Sequence, residues 1–376
     1  MTGNLGISRT GWLGVIIVAA VGAAVAIESP PMPTTKSTGR RSWDNVLETA
    51  YVGNAECARC HAEQSTHHEK TGHAHTLFTD NLCEQFSSLV GRDLPDPERK
   101  GSFRFDCQNG ELSSRYRGDE GDATLPVHFA FGSGKHAVTF LTLILGNDGE
   151  PAAIEHRLSL LNRGTETALT PSQAGLPIAT PLDCLGRLKR GRDVTTCIGC
   201  HSTTGQVRGT RVDDLRLNVG CESCHGPGRR HVAAMEAGRG SHEISFGKGR
   251  ASADEELHLC GRCHRSTDAL SVLPDPDEPK LARFQPVGVS QSACFRRSDG
   301  AFKCSTCHDP HQSVDHTATI VNTRCQSCHD GAVSGRTVCS VASTGNCAEC
   351  HMPAVEVHPG ISFHDHWIRK RKRSDP

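Results

Sequence analysis

Seven copies of the pattern CxxCH, two cysteines three residues apart followed at once by a histidine, occur in the chain. We number them motifs 1 to 7 in chain order, at residues 57–61, 197–201, 221–225, 260–264, 304–308, 325–329 and 347–351. Two thiols at this spacing lie on one side of a helical turn, where they can add to the two vinyl groups of one haem edge. The histidine that follows can then supply the proximal nitrogen to iron. The pattern predicts seven covalently bound c-type haems.

The predicted ligands follow directly from the seven motifs. The attachment cysteines are Cys57, Cys60, Cys197, Cys200, Cys221, Cys224, Cys260, Cys263, Cys304, Cys307, Cys325, Cys328, Cys347 and Cys350. The proximal histidines are His61, His201, His225, His264, His308, His329 and His351. Zinc ribbons and thioredoxin-like sites use CxxC without a histidine at this place. Histidine is 22 of 376 residues, so its placement after all seven pairs by chance has a probability on the order of 10⁻⁹.

The motifs are unevenly spaced along the chain. An interval of 140 residues separates the starts of motifs 1 and 2, whereas the later intervals are 24, 39, 44, 21 and 22 residues. So few residues per cofactor force neighbouring haems to pack closely. The spacing predicts a continuous path for electrons rather than independent carriers.

Fifteen further histidines could supply the second axial ligands. They are His67, His68, His73, His75, His128, His136, His156, His231, His242, His258, His311, His316, His358, His364 and His366. We favour His73, His231, His311 and His366, each as a ligand to a neighbouring haem. Among methionines only Met235 is a possible ligand, so bis-histidine ligation with low reduction potentials is expected.

The composition supports a haem-filled interior. Only 36% of the residues are hydrophobic and 5% aromatic, while there are 38 glycines and 19 prolines. Such a chain has a thin side-chain core for its length, and large flat cofactors can replace it. We therefore expect the haem-free protein to be largely unfolded. The formal net charge of −1 gives no indication of nucleic-acid binding.

The N-terminus has the pattern of an export segment. Residues 11–27, GWLGVIIVAAVGAAVAI, are uncharged and end in the triplet Ala24, Val25, Ala26. Residues 1–28 are interpreted as a cleaved signal peptide or, alternatively, as a membrane anchor. Residues 29–50 form a predicted flexible tether. Either way the remainder is expected to be exported, periplasmic and soluble or anchored.

We predict a mainly α, loop-rich haem scaffold with a small β subdomain inserted at about 125–161, where HAVTFLTLIL and PAAIEHRLSLL have strand patterns. The expected division is 51–190 for the first haem site and β subdomain, 191–368 for six haems, and 369–376 for a basic tail. The tail is expected to be solvated or to dock a partner.

Five cysteines lie outside the CxxCH motifs, namely Cys83, Cys107, Cys184, Cys294 and Cys339. Some of them are expected to form disulfides, and because their number is odd at least one remains unpaired.

Several of these segments resemble the multihaem c-type cytochromes that carry the cytochrome c-552/4 domain, related to the tetrahaem carrier of ammonia oxidisers. The similar segments are YVGNAECARCHAEQ with TGHAHTL, NVGCESCHGPGRRHV, QSACFRRSDGAFKCSTCHDPH, and CAECHMP with a terminal DHWI. Their order is similar to that of larger planctomycete and acidobacterial members. The resemblance implies that His73 and His231 are axial ligands and that the protein transfers electrons.

Two functions remain open at this point. The first is a periplasmic electron carrier with about seven mostly bis-histidine haems and redox protein partners. The alternative is an oxidoreductase that acts on a small nitrogen or sulfur oxyanion at one open haem. The resemblance extends to catalytic multihaem enzymes, but the chain has no CxxCK motif, and its tyrosines are only Tyr51 and Tyr116. No catalytic residue is assigned.

Overall fold

A computed structural model describes residues 50–164, 166–240, 244–246, 251–265, 278–314, 317–329 and 346–370. The predicted leader, nearly all of the tether, the last six residues of the tail, Cys339, His242 and His316 lie outside these ranges. All of these described residues belong to one compact unit. Within the described ranges, no helix is both long and apolar enough to cross a membrane.

Two antiparallel sheets occupy much of the interval between motifs 1 and 2. The first ten strands are β1 Leu77–Phe78, β2 Asp93–Pro95, β3 Gly101–Gln108, β4 Glu111–Gly118, β5 Gly121–Pro126, β6 Phe129–Phe131, β7 Ala137–Leu145, β8 Pro151–Leu161, β9 Glu166–Leu169 and β10 Gly186–Arg190. One sheet has the order β2-β3-β4-β5. The other has the order β1-β6-β7-β8-β10, with β9 also paired to β8.

The prediction of a mainly α fold with β structure only at about 125–161 is therefore wrong. Strands run from Leu77 to Arg190, and two more hairpins lie among the haem motifs. The sequence prediction included the hydrophobic strands β7 and β8 but missed β3 and β4, whose apolar residues alternate with polar ones. In GSFRFDCQ and ELSSRYRG every second residue is polar, and the structure buries only the alternate side chains such as Phe103, Phe105 and Tyr116. This period-2 pattern is typical of sheets with one wet face.

These sheets enclose a conventional side-chain core. It contains Phe86, Phe103, Phe105 and Phe140 with several leucines around them. A disulfide joins Cys83 to Cys107, whereas Cys184 and Cys294 are free thiols. The expectation that some of the additional cysteines pair is thus confirmed.

An ion pair is also buried within the β region. Arg157 and Asp96 have side chains that are 1% and 0% exposed, and the Arg157 Nε donates to Asp96 Oδ2 at 2.7 Å. The guanidinium also donates to Glu98 and to the Gln173 carbonyl. Every charged atom in this group is therefore compensated, as burial requires.

Short helices carry the haem motifs in the remainder of the chain. The helices are α1 Asn54–Ala58, α2 Ala62–His68, α3 Leu82–Gln85, α4 Leu182–Leu185, α5 Arg192–His201, α6 Cys221–His225, α7 Arg229–Glu236, α8 Ala253–His264, α9 Gln285–Gln291, α10 Ala293–Arg296, α11 Cys304–Cys307, α12 Ala318–His329 and α13 Cys347–His351. The later hairpins are β11 Ser202–Arg208 with β12 Arg211–Leu217, and β13 Ala354–His358 with β14 Ile361–His364. Helices α5, α6, α8, α12 and α13 end at the motif histidine.

Buried apolar side chains are unevenly distributed among the described residues. Twenty-seven lie between Leu77 and Ile198, whereas eight lie between Ala234 and Ile361, and four of those eight are alanines. Most of the haem-motif region therefore has little side-chain core of its own. The expectation of haem-dependent folding applies to that region, while the β region has an apolar core that does not need haem.

Removing the buried arginine should destabilise the β region specifically. We expect Arg157→Leu to lower the free energy of unfolding of this region by about 3–5 kcal/mol, because Asp96 is left buried without its cation. Hydrogen exchange of amides in 77–190 under increasing urea would measure the loss.

The matched control is Arg117→Leu, whose partner Asp122 is 3.9 Å away and 68% exposed. It should change the stability by less than about 1 kcal/mol. Equal effects of the two substitutions would contradict the assigned role of the Arg157 pair.

Candidate haem sites

Backbone carbonyls orient several of the proximal histidines. The Nδ1 atoms of His201, His225 and His351 donate to the carbonyl oxygens of Thr76, Ser245 and Arg369 at 3.0, 3.1 and 3.1 Å. In this tautomer Nε2 carries a free lone pair, which is the atom that a metal ion needs. The local structure therefore prepares these imidazoles for iron.

Four proximal histidines lie opposite a second histidine ring. The pairs are His61 with His231, His264 with His73, His225 with His311, and His308 with His366. Their ring centres are 6.3, 6.1, 6.1 and 6.1 Å apart, respectively. Two imidazoles bound to opposite sides of one metal ion at about 2 Å each have ring centres roughly 6 Å apart. The spacing is the one that the predicted distal ligands require, and all four favoured histidines take part.

The segments that carry the distal histidines are supported in different ways. The His73 carbonyl accepts from the Val219 amide at 3.0 Å. His311 donates from Nδ1 to Asp309 Oδ1 at 3.0 Å, an arrangement in which a carboxylate fixes the tautomer of a metal ligand. His231 lies on α7, directly after the glycine-rich turn that follows motif 3.

The C-terminal segment that carries His366 packs against α9. The Ser292 hydroxyl donates to the His366 carbonyl at 3.0 Å and accepts from the Ile368 amide at 2.8 Å. A Cβ at Gly288 would lie 2.7 Å from the His366 carbonyl carbon and the Trp367 nitrogen. Only glycine allows this approach, so the glycine in α9 helps to place His366 opposite motif 5.

Burial keeps two of the distal imidazoles, those of His73 and His366, neutral. Removal from water and, to a lesser extent, the neighbouring His264 together lower the pKa of His73 to about 4. Burial likewise lowers the pKa of His366 to about 4. A protonated imidazole cannot bind iron, so this desolvation favours the ligand form at neutral pH.

The donor set fits haem iron in a further respect. The Nδ1 atom of His231 is buried and, within the described part of the chain, has no hydrogen-bond partner. A buried polar atom without a partner costs free energy, and binding of iron through Nδ1 rather than Nε2 would satisfy this one. This orphaned atom belongs to a ring that is stacked on a proximal histidine.

Cysteine thiols of different motifs lie near each other. Hydrogen bonds join Cys57 to Cys221, Cys200 to Cys263, Cys260 to Cys304 and Cys325 to Cys347. Cys224 and Cys260, and likewise Cys307 and Cys328, are near enough to interact electrostatically. These six thiol pairs link motif 1 to 3, 3 to 4, 4 to both 2 and 5, 5 to 6, and 6 to 7.

Three proximal histidines are not brought opposite another histidine ring among the described residues. The His201 ring instead packs edge-to-face with the Phe131 ring, and their ring centres are 5.1 Å apart. His329 is exposed at the end of α12. The His351 ring is held by its hydrogen bond to the Arg369 carbonyl. Two other candidates are structural: His128 accepts from the Leu143 amide, and His156 shares a hydrogen bond with Thr142 inside the sheet. Met235 is 51% exposed on α7.

Several polar residues that position the motifs were not found from the sequence. Asn218 Oδ1 accepts from the Thr76 and Leu77 amides at 2.8 and 2.9 Å, and Asn54 Oδ1 accepts from the Cys221 amide at 3.0 Å. Glu222, which occupies a variable position of motif 3, is 4% exposed. A motif search ignores such positions, and only the bias of Asn and Glu toward local capping could have drawn attention to them.

Comparisons with known proteins agree with this chemistry. The family described as cytochrome c554 and c-prime matches residues 182–226, which include motifs 2 and 3. The dissimilatory sulfite reductase MccA of Wolinella succinogenes is 22% identical over 205 residues, 44% of this chain and 27% of that protein. The multiheme cytochrome MtrA of Shewanella baltica is 26% identical over 178 residues, 42% of this chain and 52% of that protein.

Among solved structures, the outer cell wall cytochrome OcwA is similar to this chain. The likeness has a TM-score of 0.48 and 14% identity, and covers 85% of this chain and 80% of that one. The aligned segments of the two curated relatives amount to between about a quarter and about half of those proteins' own lengths.

Removing one predicted distal ligand should change one iron. We expect His73→Ala to convert the haem of motif 4 from a low-spin to a high-spin ferric state, because one of its two imidazoles is lost. Electron paramagnetic resonance of the oxidised protein would show the new signal, equivalent to one haem per chain.

The control is His75→Ala in the same short helical turn. His75 is exposed, and its Nε2 is bonded to the Glu69 carbonyl, so its loss should leave every haem low-spin that was low-spin before. A high-spin signal in both variants, or in neither, would refute the assignment of His73.

Proposed function

The chain is a multihaem c-type cytochrome, and we propose that it conducts electrons through seven haems arranged as a branched chain. The observation that carries this proposal is the continuous series of neighbouring thiol pairs from motif 1 to motif 7. Each of these thiols would be bonded to the edge of its own haem. Neighbouring thiols of two motifs therefore support close edges of two macrocycles, which is the condition for rapid electron hopping.

The order of these thiol pairs defines the proposed path of the electrons. It runs through the haems of motifs 1, 3, 4, 5, 6 and 7, and the haem of motif 2 branches from that of motif 4. Paired histidines at four of the seven sites support low-spin, bis-histidine iron there, which changes oxidation state without binding substrate. The haem of motif 4 is the junction through which electrons must pass to reach either end.

We further propose that the protein works outside the cytoplasm with redox protein partners. The N-terminal sequence pattern supports export. The disulfide between Cys83 and Cys107 supports an oxidising compartment as well, since such bonds are rare in cytosolic proteins. Attachment through residues 11–27 would keep the protein at the cytoplasmic membrane.

Deleting the junction should isolate the haems into separate groups. We expect Cys260→Ser with Cys263→Ser to leave three groups, the haems of motifs 1 and 3, of motif 2, and of motifs 5 to 7. After a flash that injects one electron per chain, their absorbance changes should no longer equilibrate in a single phase. Haem quantification must give seven per chain in the parent protein and six in the variant.

The control removes the branch by Cys197→Ser with Cys200→Ser, after which the remaining six haems should still equilibrate together. If the junction variant equilibrates as fast as this control, the proposed order is wrong. A parent protein with fewer than seven haems would contradict the count itself.

Motif 2 supports a second candidate, reduction or oxidation of a small sulfur or nitrogen oxyanion. Phe131, rather than a histidine, lies at the His201 ring. Arg265 interacts electrostatically with Cys200, whereas Lys189, near Cys197, is paired with Glu155 at 3.2 Å. Burial and the nearby Arg265 lower the pKa of Arg283. Cations around an iron with a free position would attract an anionic substrate, and a sulfite reductase is among the relatives.

This candidate predicts turnover of sulfite, nitrite or hydroxylamine with a redox dye. Arg283→Gln should raise KM by roughly 10- to 150-fold, since a charge-assisted contact contributes about 1.5–3 kcal/mol, while the exposed Arg187→Gln should not. Absence of turnover with all three compounds, together with fully low-spin iron, would exclude it.

A further inference from the structure

Glu222 links motifs 1 and 3 through a buried carboxylate. Its Oε1 accepts from the Val52 amide at 2.9 Å and from the Gly228 amide at 2.8 Å, and its Oε2 accepts from the Gly53 amide at 2.8 Å. The residue is 4% exposed. Three donors converge on it, so the arrangement suits an ionised carboxylate, which only accepts hydrogen bonds.

The position of this charge is unusual because it acts on both motifs at once. Glu222 follows Cys221 directly in motif 3, and the carboxylate interacts electrostatically with Cys221 and with Cys57 of motif 1. Those two thiols also contact each other. The negative charge thus lies beside the attachment points of two adjacent haems and is screened little by water.

The surroundings are built for this side chain. A Cβ on Gly228 would approach Glu222 Oε1 to 3.3 Å and Val52 Cγ2 to 3.0 Å, so the glycine leaves the carboxylate room. Gly53 has φ of +86°, a conformation in which glycine presents its amide at little steric cost. Both turns therefore direct amides at one carboxylate.

We propose that Glu222 is a positioning residue that lowers the reduction potentials of the haems of motifs 1 and 3 together. A fixed negative charge stabilises ferric iron, which carries one more positive charge than ferrous iron, against uptake of an electron. The pair therefore releases electrons more readily toward the junction at motif 4. This inference rests on the proposed haem path and specifies the driving force at one of its ends.

The test compares Glu222→Gln with Glu349→Gln in a redox titration followed by electron paramagnetic resonance. Glu349 is the matched control, because it also lies inside a CxxCH motif but is exposed. His231→Ala assigns the haem of motif 1, whose low-spin signal should disappear in that variant. The expected result is a rise in the potentials of the two haems that corresponds to about a tenfold change in the ratio of reduced to oxidised iron, which is 59 mV for one electron.

Unchanged potentials in Glu222→Gln with all seven haems attached would overturn the inference, while the haem path itself would stand. If the glutamine variant does not retain its haems, Glu222→Asp decides, because it keeps the charge on a shorter side chain. Potentials close to those of the parent in the aspartate variant support the role of charge. A rise equal to the tenfold change would show that only the hydrogen bonds matter and would overturn it.

Discussion

Bis-histidine iron needs two imidazoles on opposite faces, and in this protein the histidine rings that face each other come from segments that are distant in sequence. His61 faces a histidine that follows motif 3, and His264 faces one that follows motif 1. The proximal histidine of motif 3 faces a histidine that follows motif 5, and the proximal histidine of motif 5 faces one near the C-terminus. Each iron would therefore crosslink two parts of the chain, and the haem-motif region depends on these crosslinks for much of its tertiary structure.

The two parts of the chain meet this constraint in different ways. The β region has aromatic and leucine side chains, a disulfide and the Arg157 ion pair, so its stability follows the usual rules of apolar burial. The haem-motif region has short helices and few large buried side chains. A second apolar cluster joins them, in which Leu141 and Leu143 of the sheet pack with Val194 and Ile198 of α5. The helix of motif 2 is thus supported by a preformed surface.

Buried polar groups arrange the sites that apolar packing cannot define. Asn54, Asn218 and Glu222 each direct a side-chain oxygen at backbone amides of another segment. Such bonds have strict geometry, so they fix how neighbouring motifs approach. Burial also keeps His73 and His366 neutral. Ligand chemistry and chain geometry are therefore determined by the same desolvated environment.

The seven predicted attachment sites and their proximal histidines could be named from the sequence alone, because the haem-attachment motif is a local spacing of residues. The four favoured distal histidines could also be named from neighbouring residues, but their partners could not. Pairing His311 with His225, or Cys200 with Cys263, depends on contacts across long stretches of chain that only the tertiary structure decides. The extent of the β region was underestimated for a related reason. Strands such as β3 alternate polar and apolar residues, and their burial becomes evident only when a second layer covers one face.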